Sequence, residues 1–248
     1  MQIKELCDFC DEYLKVDDFN DYCPNGLQVE ANPRVEHIVC GVTASQALID
    51  AAVEQGADTL IVHHGYFWKG ESQAITGYRA RRIASLIRND INLLAYHLPL
   101  DAHPEVGNNA QLARVMDWQL SRVSGEQGLL FEGSLPRPQS LAELTQQLEA
   151  RLDTRALAVD GGDHAIERIA WCTGAAQGFI EAAAACGVDA FVSGEISEPS
   201  FHMARELGIH YIAAGHHATE RFGVQALAAE IANRFAVRQQ FIDIANPV

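Results

Sequence analysis

Two imidazoles stand side by side at His63 and His64, closing the apolar run TLIV and followed at once by Gly65. Further along, INLLAYHLPLD ends an apolar run with His97 and then Asp101. Near the C-terminus, HYIAAGHHATE repeats that grammar with His216 and Glu220, and His217 adjoins the first of them. Neutral imidazole nitrogen and carboxylate oxygen are good ligands for zinc, iron or manganese. Each residue alone also admits a plainer role. The paired imidazoles can be solvated at a strand end, Asp101 can cap the next helix, and Glu220 can face the helix dipole behind a Thr219 cap. Taken together, His63, His64, Asp101, His216 and Glu220 point to a dinuclear site. Two ions about 3.5–4 Å apart share a water there and clamp an oxyanion. Neighbours on an extended strand point to opposite sides. His63 and His64 therefore suit two different ions, or need a bend that Gly65 permits.

Such donors need a scaffold that brings strand ends together. Short apolar runs at 37–42, 59–63, 92–97, 129–135, 168–172, 190–193, 210–214 and 240–243 read as strands. Helical patterns at 45–55, 78–89, 109–116, 141–151, 177–186, 199–207 and 219–235 lie between them. This alternation predicts an α/β architecture with mainly buried strands.

The chain also nearly repeats itself. HIVCGVTASQALIDAAVEQGADTLIVHH (37–64) aligns without gaps on RIAWCTGAAQGFIEAAAACGVDAFVSGE (168–195). Ile38, Ala44, Gln46, Ile49, Gly56 and Asp58 are among the residues that match, pairing with Ile169, Ala175, Gln177, Ile180, Gly187 and Asp189. Each copy reads strand, turn, helix, Gly-x-Asp, strand, with the glycine as helix C-cap. His97 with Asp101 and His216 with Glu220 extend the echo. We read two similar α/β halves with the metal site in the cleft between them, since open α/β sheets place ligands at the C-terminal edges of their strands. The first half is placed at 1–125, with His63, His64, His97 and Asp101. The second is placed at 126–248, with Glu195, His216 and Glu220, and interleaving of the two is allowed for. The less regular stretch 118–165, with Pro136, Pro138, Gly161 and Gly162, carries the transition. The second copy has Gly194-Glu195 where the first has His63-His64, an asymmetry that predicts one two-metal site per chain rather than two.

Bulk properties exclude several classes. The 248 residues are 48% hydrophobic, enough for a sizeable core. A net charge of −15 with only 18 basic residues argues against a nucleic-acid partner. The N-terminus MQIKELCDFCDEYL lacks a basic region followed by an apolar one, so it is no secretory signal. No apolar run approaches the roughly 20 residues of a membrane span. Six cysteines read as reduced thiols of a cytoplasmic protein. Cys7 and Cys10 form C-x-x-C, read here as two small apolar residues one helical turn apart. Nucleotide P-loop, nucleophile-elbow and H-E-x-x-H motifs are absent.

The segments PNGLQVE (24–30), GVTAS (41–45), VHHG (62–65), HLPLDAH (97–103), GNNAQLA (107–113), SGE (193–195) and AGHHATE (214–220) resemble the NIF-three-like family. Its members also go by the name GTP cyclohydrolase 1 type 2 homologues. The resemblance spans essentially the whole chain, in order. It implies two divalent metal ions on ligands matching His63, His64, Asp101, His216 and Glu220, with His97 as a further ligand or a neighbour of the ligands. It also implies two similar α/β domains, a ring-shaped homohexamer and the short form of the family.

The resulting expectation is a metal-dependent hydrolase for a small-molecule substrate. His97 or His217 would carry a proton, and Glu195 would face substrate or support a ligand. By family analogy the substrate is a purine nucleotide whose ring is opened, or a related phosphate-containing molecule. The competing expectation is a non-enzymatic metal-binding scaffold or regulator. The mixed His/carboxylate set favours the enzyme, because a structural zinc is more often closed by Cys.

Overall fold

The Gly-x-Asp that ends each repeated helix is used identically in both places. In the computed structural model, which describes residues 1–248, Gly56 has φ +65° and Gly187 φ +70°. Both lie in the left-handed region that glycine enters at little cost. Asp58 Oδ2 accepts the backbone N–H groups of Glu36 at 2.8 Å and His37 at 2.9 Å. Asp189 Oδ2 accepts those of Glu167 at 2.9 Å and Arg168 at 2.8 Å. Each aspartate thus ties the start of its own strand to the start of the preceding one.

Two compact units result, Met1–Gly107 with Gly223–Ala245, and Asn108–Phe222 with Asn246–Val248. They part earlier than the 125/126 join read from sequence, and the chain re-enters the first unit near its end. The first unit holds α1 (Ile3–Leu14), α2 (Gln46–Glu54), α3 (Gly77–Arg88) and α4 (Leu98–Ala102). Its strands are β1 (Gly26–Val29), β2 (His37–Thr43), β3 (Thr59–His64) and β4 (Asn92–Ala95). The second holds α5 (Asn108–Met116), α6 (Leu141–Leu152), α7 (Ile180–Ala185), α8 (Glu198–Leu207) and α9 (His216–Thr219). Its strands are β5 (Gln119–Ser124), β6 (Leu130–Gln139), β7 (Leu157–Val159), β8 (Ile166–Cys172), β9 (Ala190–Ser193) and β10 (His210–Ala213). Most of α10 (Arg221–Phe235) and all of β11 (Arg238–Phe241) then belong to the first unit.

The first sheet has the order β1-β4-β3-β2-β11, parallel except for β1. Its strands sort their side chains with period two. Ile38, Cys40, Ile61 and Leu94 join a core with α1 and α10, while Val39, Leu60, Val62 and Leu93 join another with α2 and α3. A parallel sheet covered on both faces explains the near-continuous apolar runs. The second sheet has the order β5-β6-β8-β9-β10-β7. Its parallel trio β8-β9-β10 repeats β2-β3-β4, and antiparallel β7 flanks β10 as β1 flanks β4. Pro136 and Pro138 fall inside β6, where its register against β8 shifts between Ser134 and Gln139. Proline has no N–H to give a ladder, so the pairing skips them.

Local signals start the helices where the sequence places them. Ser45 Oγ accepts from Leu48 N–H at the head of α2, and Ser140 with Glu143 forms a capping box on α6. Cys7 and Cys10 lie on α1, with Cys10 fully buried among the apolar residues packed under the first sheet. Burial, with the Asp11 and Asp8 charges, pushes the Cys7 thiol up to about 11, and burial pushes Cys10 higher still. These thiols act as core side chains, as their helical spacing predicted. No helix is long and apolar enough to cross a membrane.

Candidate metal centre

In the first unit the donors gather at the C-terminal edge of β3 and β4. His63 is completely buried, and its Nδ1 lies 2.8 Å from the Tyr96 carbonyl oxygen. A carbonyl only accepts, so Nδ1 carries a proton. Nε2 faces Asp101 Oδ1 at 3.4 Å. The Tyr96 carbonyl is well fixed, since Tyr96 N–H donates to Val62 O and its hydroxyl to Asp11 Oδ1, both at 3.0 Å.

His64 does not part from His63 across the sheet, as strict alternation would require. The two ring centroids are 4.6 Å apart, so the side chains converge. Gly65 works by close approach. A Cβ there would meet Gln28 Oε1 at 2.2 Å and Ala95 Cβ at 2.6 Å. The same Gln28 oxygen accepts Tyr66 N–H at 2.7 Å, which turns the chain away behind the imidazoles.

His97 lies beyond the end of β4 and precedes the short helix that carries Asp101. Its Nδ1 donates to Asp21 Oδ1 at 2.7 Å, and its backbone N–H donates to Asn25 Oδ1 at 2.7 Å. Asp21 Oδ2 accepts Leu98 N–H at 2.9 Å and the Asn25 amide at 2.8 Å. Burial opposes the Asp21 charge, but its bonds to His97 and Asn25 outweigh that and hold the carboxyl below its usual value. One ring nitrogen from each of His63, His64 and His97 lies within 4.8 Å of those of the other two. Asp101 is buried on α4, aimed at His63.

The second unit carries His216 and Glu220 at opposite ends of α9, after β10. His216 Nδ1 is 2.7 Å from Glu195 Oε1, and its Nε2 is 3.1 Å from Glu220 Oε2. Burial opposes the imidazolium, but the hydrogen bonds and charges of Glu220 and Glu195 outweigh it, raising the pKa to about 9. Glu195 therefore touches His216. His217 is buried, and its backbone N–H donates to the Val248 carbonyl at 2.9 Å.

Glycines shape this half as well. Gly174 has φ +68°, and a Cβ there would lie 2.1 Å from Glu220 Oε1 and 3.3 Å from His216 Nε2. A Cβ on Gly194 would strike Gly174 O at 2.7 Å and His216 Cα at 2.8 Å. The sequence gives Asp21 no role, and Asn25 is marked only by the PNGLQVE segment and its Asn-Gly turn pair.

The donor chemistry fits metal ions. In His63, His97 and His216, Nδ1 is held by a carbonyl or carboxylate, the arrangement that fixes tautomer and ring orientation in metal-ligating histidines. In His63 and His216 the opposite nitrogen faces a carboxylate. Gly174 leaves open the space beside Glu220 and His216 that a side chain would fill.

Fold and site together define a mixed α/β protein with two sheets built on a repeated βαβ core and with residue groups able to hold a metal ion. The model of the Duf34/NIF3 (NGG1p interacting factor 3) family matches residues 1–247, and the chain belongs to that family. It is 53% identical over 248 residues to the GTP cyclohydrolase 1 type 2 homolog of Pseudomonas aeruginosa, covering 99% of this chain and 98% of the relative. Among solved structures, protein ybgI, of unknown function, superposes with a TM-score of 0.96 at 51% identity, covering 100% of both chains. TTHA1606 from Thermus thermophilus superposes with a TM-score of 0.90 at 38% identity, again covering 100% of both.

Proposed function

We propose that this protein is a metal-dependent hydrolase. It holds two divalent ions, of zinc, iron or manganese, on the ligands that the family likeness implies, His63, His64, Asp101, His216 and Glu220. The observation that carries this reading is the polarisation of the imidazoles. His63 and His216 each have one nitrogen fixed by an outer acceptor and the other turned to a buried carboxylate. When bound, such ions supply Lewis acidity and bring the pKa of water towards neutrality.

His97 is the proton carrier in this reading. Asp21 holds its Nδ1–H, which leaves Nε2 to take a proton from the reacting water. Glu195 keeps His216 in one tautomer, and His217 is the alternative proton carrier. The substrate proposed is a purine nucleotide or a related phosphate-containing molecule, on the strength of the relatives' name. A cytoplasmic ring-shaped hexamer is proposed from the family likeness, and light scattering on the eluting protein tests it.

The function is tested by loading the protein with each metal, measuring metal content, and assaying a nucleotide and phosphoester panel. About two ions per chain are expected, with turnover that a His63→Ala/Asp101→Ala double variant loses. Turnover no greater than that of the double variant, at confirmed metal content, sinks the enzyme. Two ions without turnover support a metal-holding assembly instead. A stoichiometry of one sinks the dinuclear centre.

A further inference from the structure

The first unit leaves two aromatic rings beside its histidines. The Trp68 ring stands nearly perpendicular to His97, at 87° with centroids 4.9 Å apart, and 5.8 Å from His64. Tyr22 lies 6.4 Å from His97 and is 59% exposed. Trp68 itself is only partly covered. Large aromatic side chains usually bury their rings in a core, so two of them left open beside imidazoles call for an occupant.

The loop that carries Trp68 is held firmly for the purpose. Phe67, just before it, has φ +67°, a conformation that bulky residues adopt only when their surroundings impose it. Tyr66 anchors the loop on one side through its hydroxyl to the Ala44 carbonyl at 2.8 Å. Lys69 N–H donates to the Tyr22 carbonyl at 2.6 Å, tying together the two segments that bear the rings. Arg79 secures the far end. Its guanidinium donates to the carbonyls of Ser72 and Ala74 and pairs with Glu71. Backbone strain spent on aiming a tryptophan at a polar cluster is a mark of a binding site.

We propose that Trp68 and Tyr22 form a stacking slot that holds a planar heteroaromatic ring beside His97. A flat ring suits this place because two partly open aromatic rings border His97, and stacking tolerates any ring with an exposed π face. The inference rests on the reading of His97 as part of the reacting site, and adds which part of the substrate the protein grips there. The gripped part is the ring, independently of any phosphate it bears.

The experiment uses the intact metal-loaded protein. Trp118 is 6% exposed and Trp171 fully buried, so fluorescence reached by a soluble quencher reports on Trp68. Guanosine 5′-monophosphate, nicotinamide mononucleotide and ribose 5-phosphate are titrated, with affinities also measured by calorimetry. The two ring compounds should quench saturably, and Trp68→Ala should weaken them about tenfold or more. Trp68→Phe should retain most of the affinity. Ribose 5-phosphate should be indifferent to both changes. Ring affinities unchanged in Trp68→Ala at equal metal content overturn the slot, as does failure of both ring compounds to bind. Shielding of Trp68 from acrylamide in the ligand-free assembly also overturns it, by showing that a second copy covers the face. Loss of metal from His63→Ala/Asp101→Ala with ring binding kept leaves the slot standing, and absence of turnover in the unaltered protein counts against the hydrolase alone.

Discussion

His216 lies between two carboxylates, with Nδ1 2.7 Å from Glu195 Oε1 and Nε2 3.1 Å from Glu220 Oε2. Without metal this imidazole keeps both protons, and its pKa rises from 6.5 to about 9. A folded-state pKa above the unfolded one stabilises the fold fully below the unfolded value. That stability disappears as the pH climbs through the folded value. Metal-stripped protein should therefore lose thermal stability between about pH 6.5 and 9, and His216→Ala should flatten that part of the profile. Melting curves across this range decide it, and superimposable profiles contradict the assignment. Metal uptake has to displace the Nε2 proton, so affinity should rise across the same window.

Glu195 supports His216 from the side away from Glu220. Glu195→Gln keeps the shape and one acceptor but removes the charge that makes the imidazole a strong donor of electrons. Metal affinity should fall by about 10–100-fold, as for other residues that orient a ligand. Competition with a chelator of known affinity measures it, and an unchanged constant removes Glu195 from the site.

Gly174 separates two effects that one substitution usually mixes. Gly174→Ala meets both a left-handed backbone and a Cβ 2.1 Å from Glu220 Oε1. Gly56→Ala meets only the backbone, at φ +65° with nothing within 4 Å of the added carbon. Each should cost about 1–3 kcal/mol of stability in urea unfolding through the backbone alone. Only Gly174→Ala should also lose metal, seen by elemental analysis.

Asp58 and Asp189 hold equivalent places in the repeat, each accepting two backbone N–H groups from the preceding strand. Asp58→Ala and Asp189→Ala should each destabilise the protein by about 1–3 kcal/mol, by similar amounts, because each leaves two backbone donors without their acceptor. Denaturant midpoints test this. A large cost at one position and none at the other shows that the two copies do not use the motif alike.

The sequence was most legible where structure is local and periodic. The helical patterns at 45–55 and 141–151 match α2 and α6, which Ser45 and Ser140 cap in the structure, and the short apolar run 190–193 matches β9. Three strands escaped notice for identifiable reasons. Gly26–Val29 and Leu157–Val159 are too short to show a period, and each becomes a strand only by antiparallel pairing with a neighbour distant in sequence. Gln119–Ser124 is largely exposed on both faces, so no alternation marks it.

By itself the sequence determined the βαβ repeat, the Gly-x-Asp turn and the chemical types of the donors, because each rests on neighbours a few residues apart. The tertiary structure decided what surrounds those donors. The carboxylate that fixes His97 comes from Asp21, 76 residues away, and the carbonyl that fixes His63 from Tyr96, 33 residues away. It also decided that His63 and His64 converge, and that Gly174 makes room for Glu220. Contacts of that range leave no local pattern, since they arise only when separate strands are laid side by side and their ends meet.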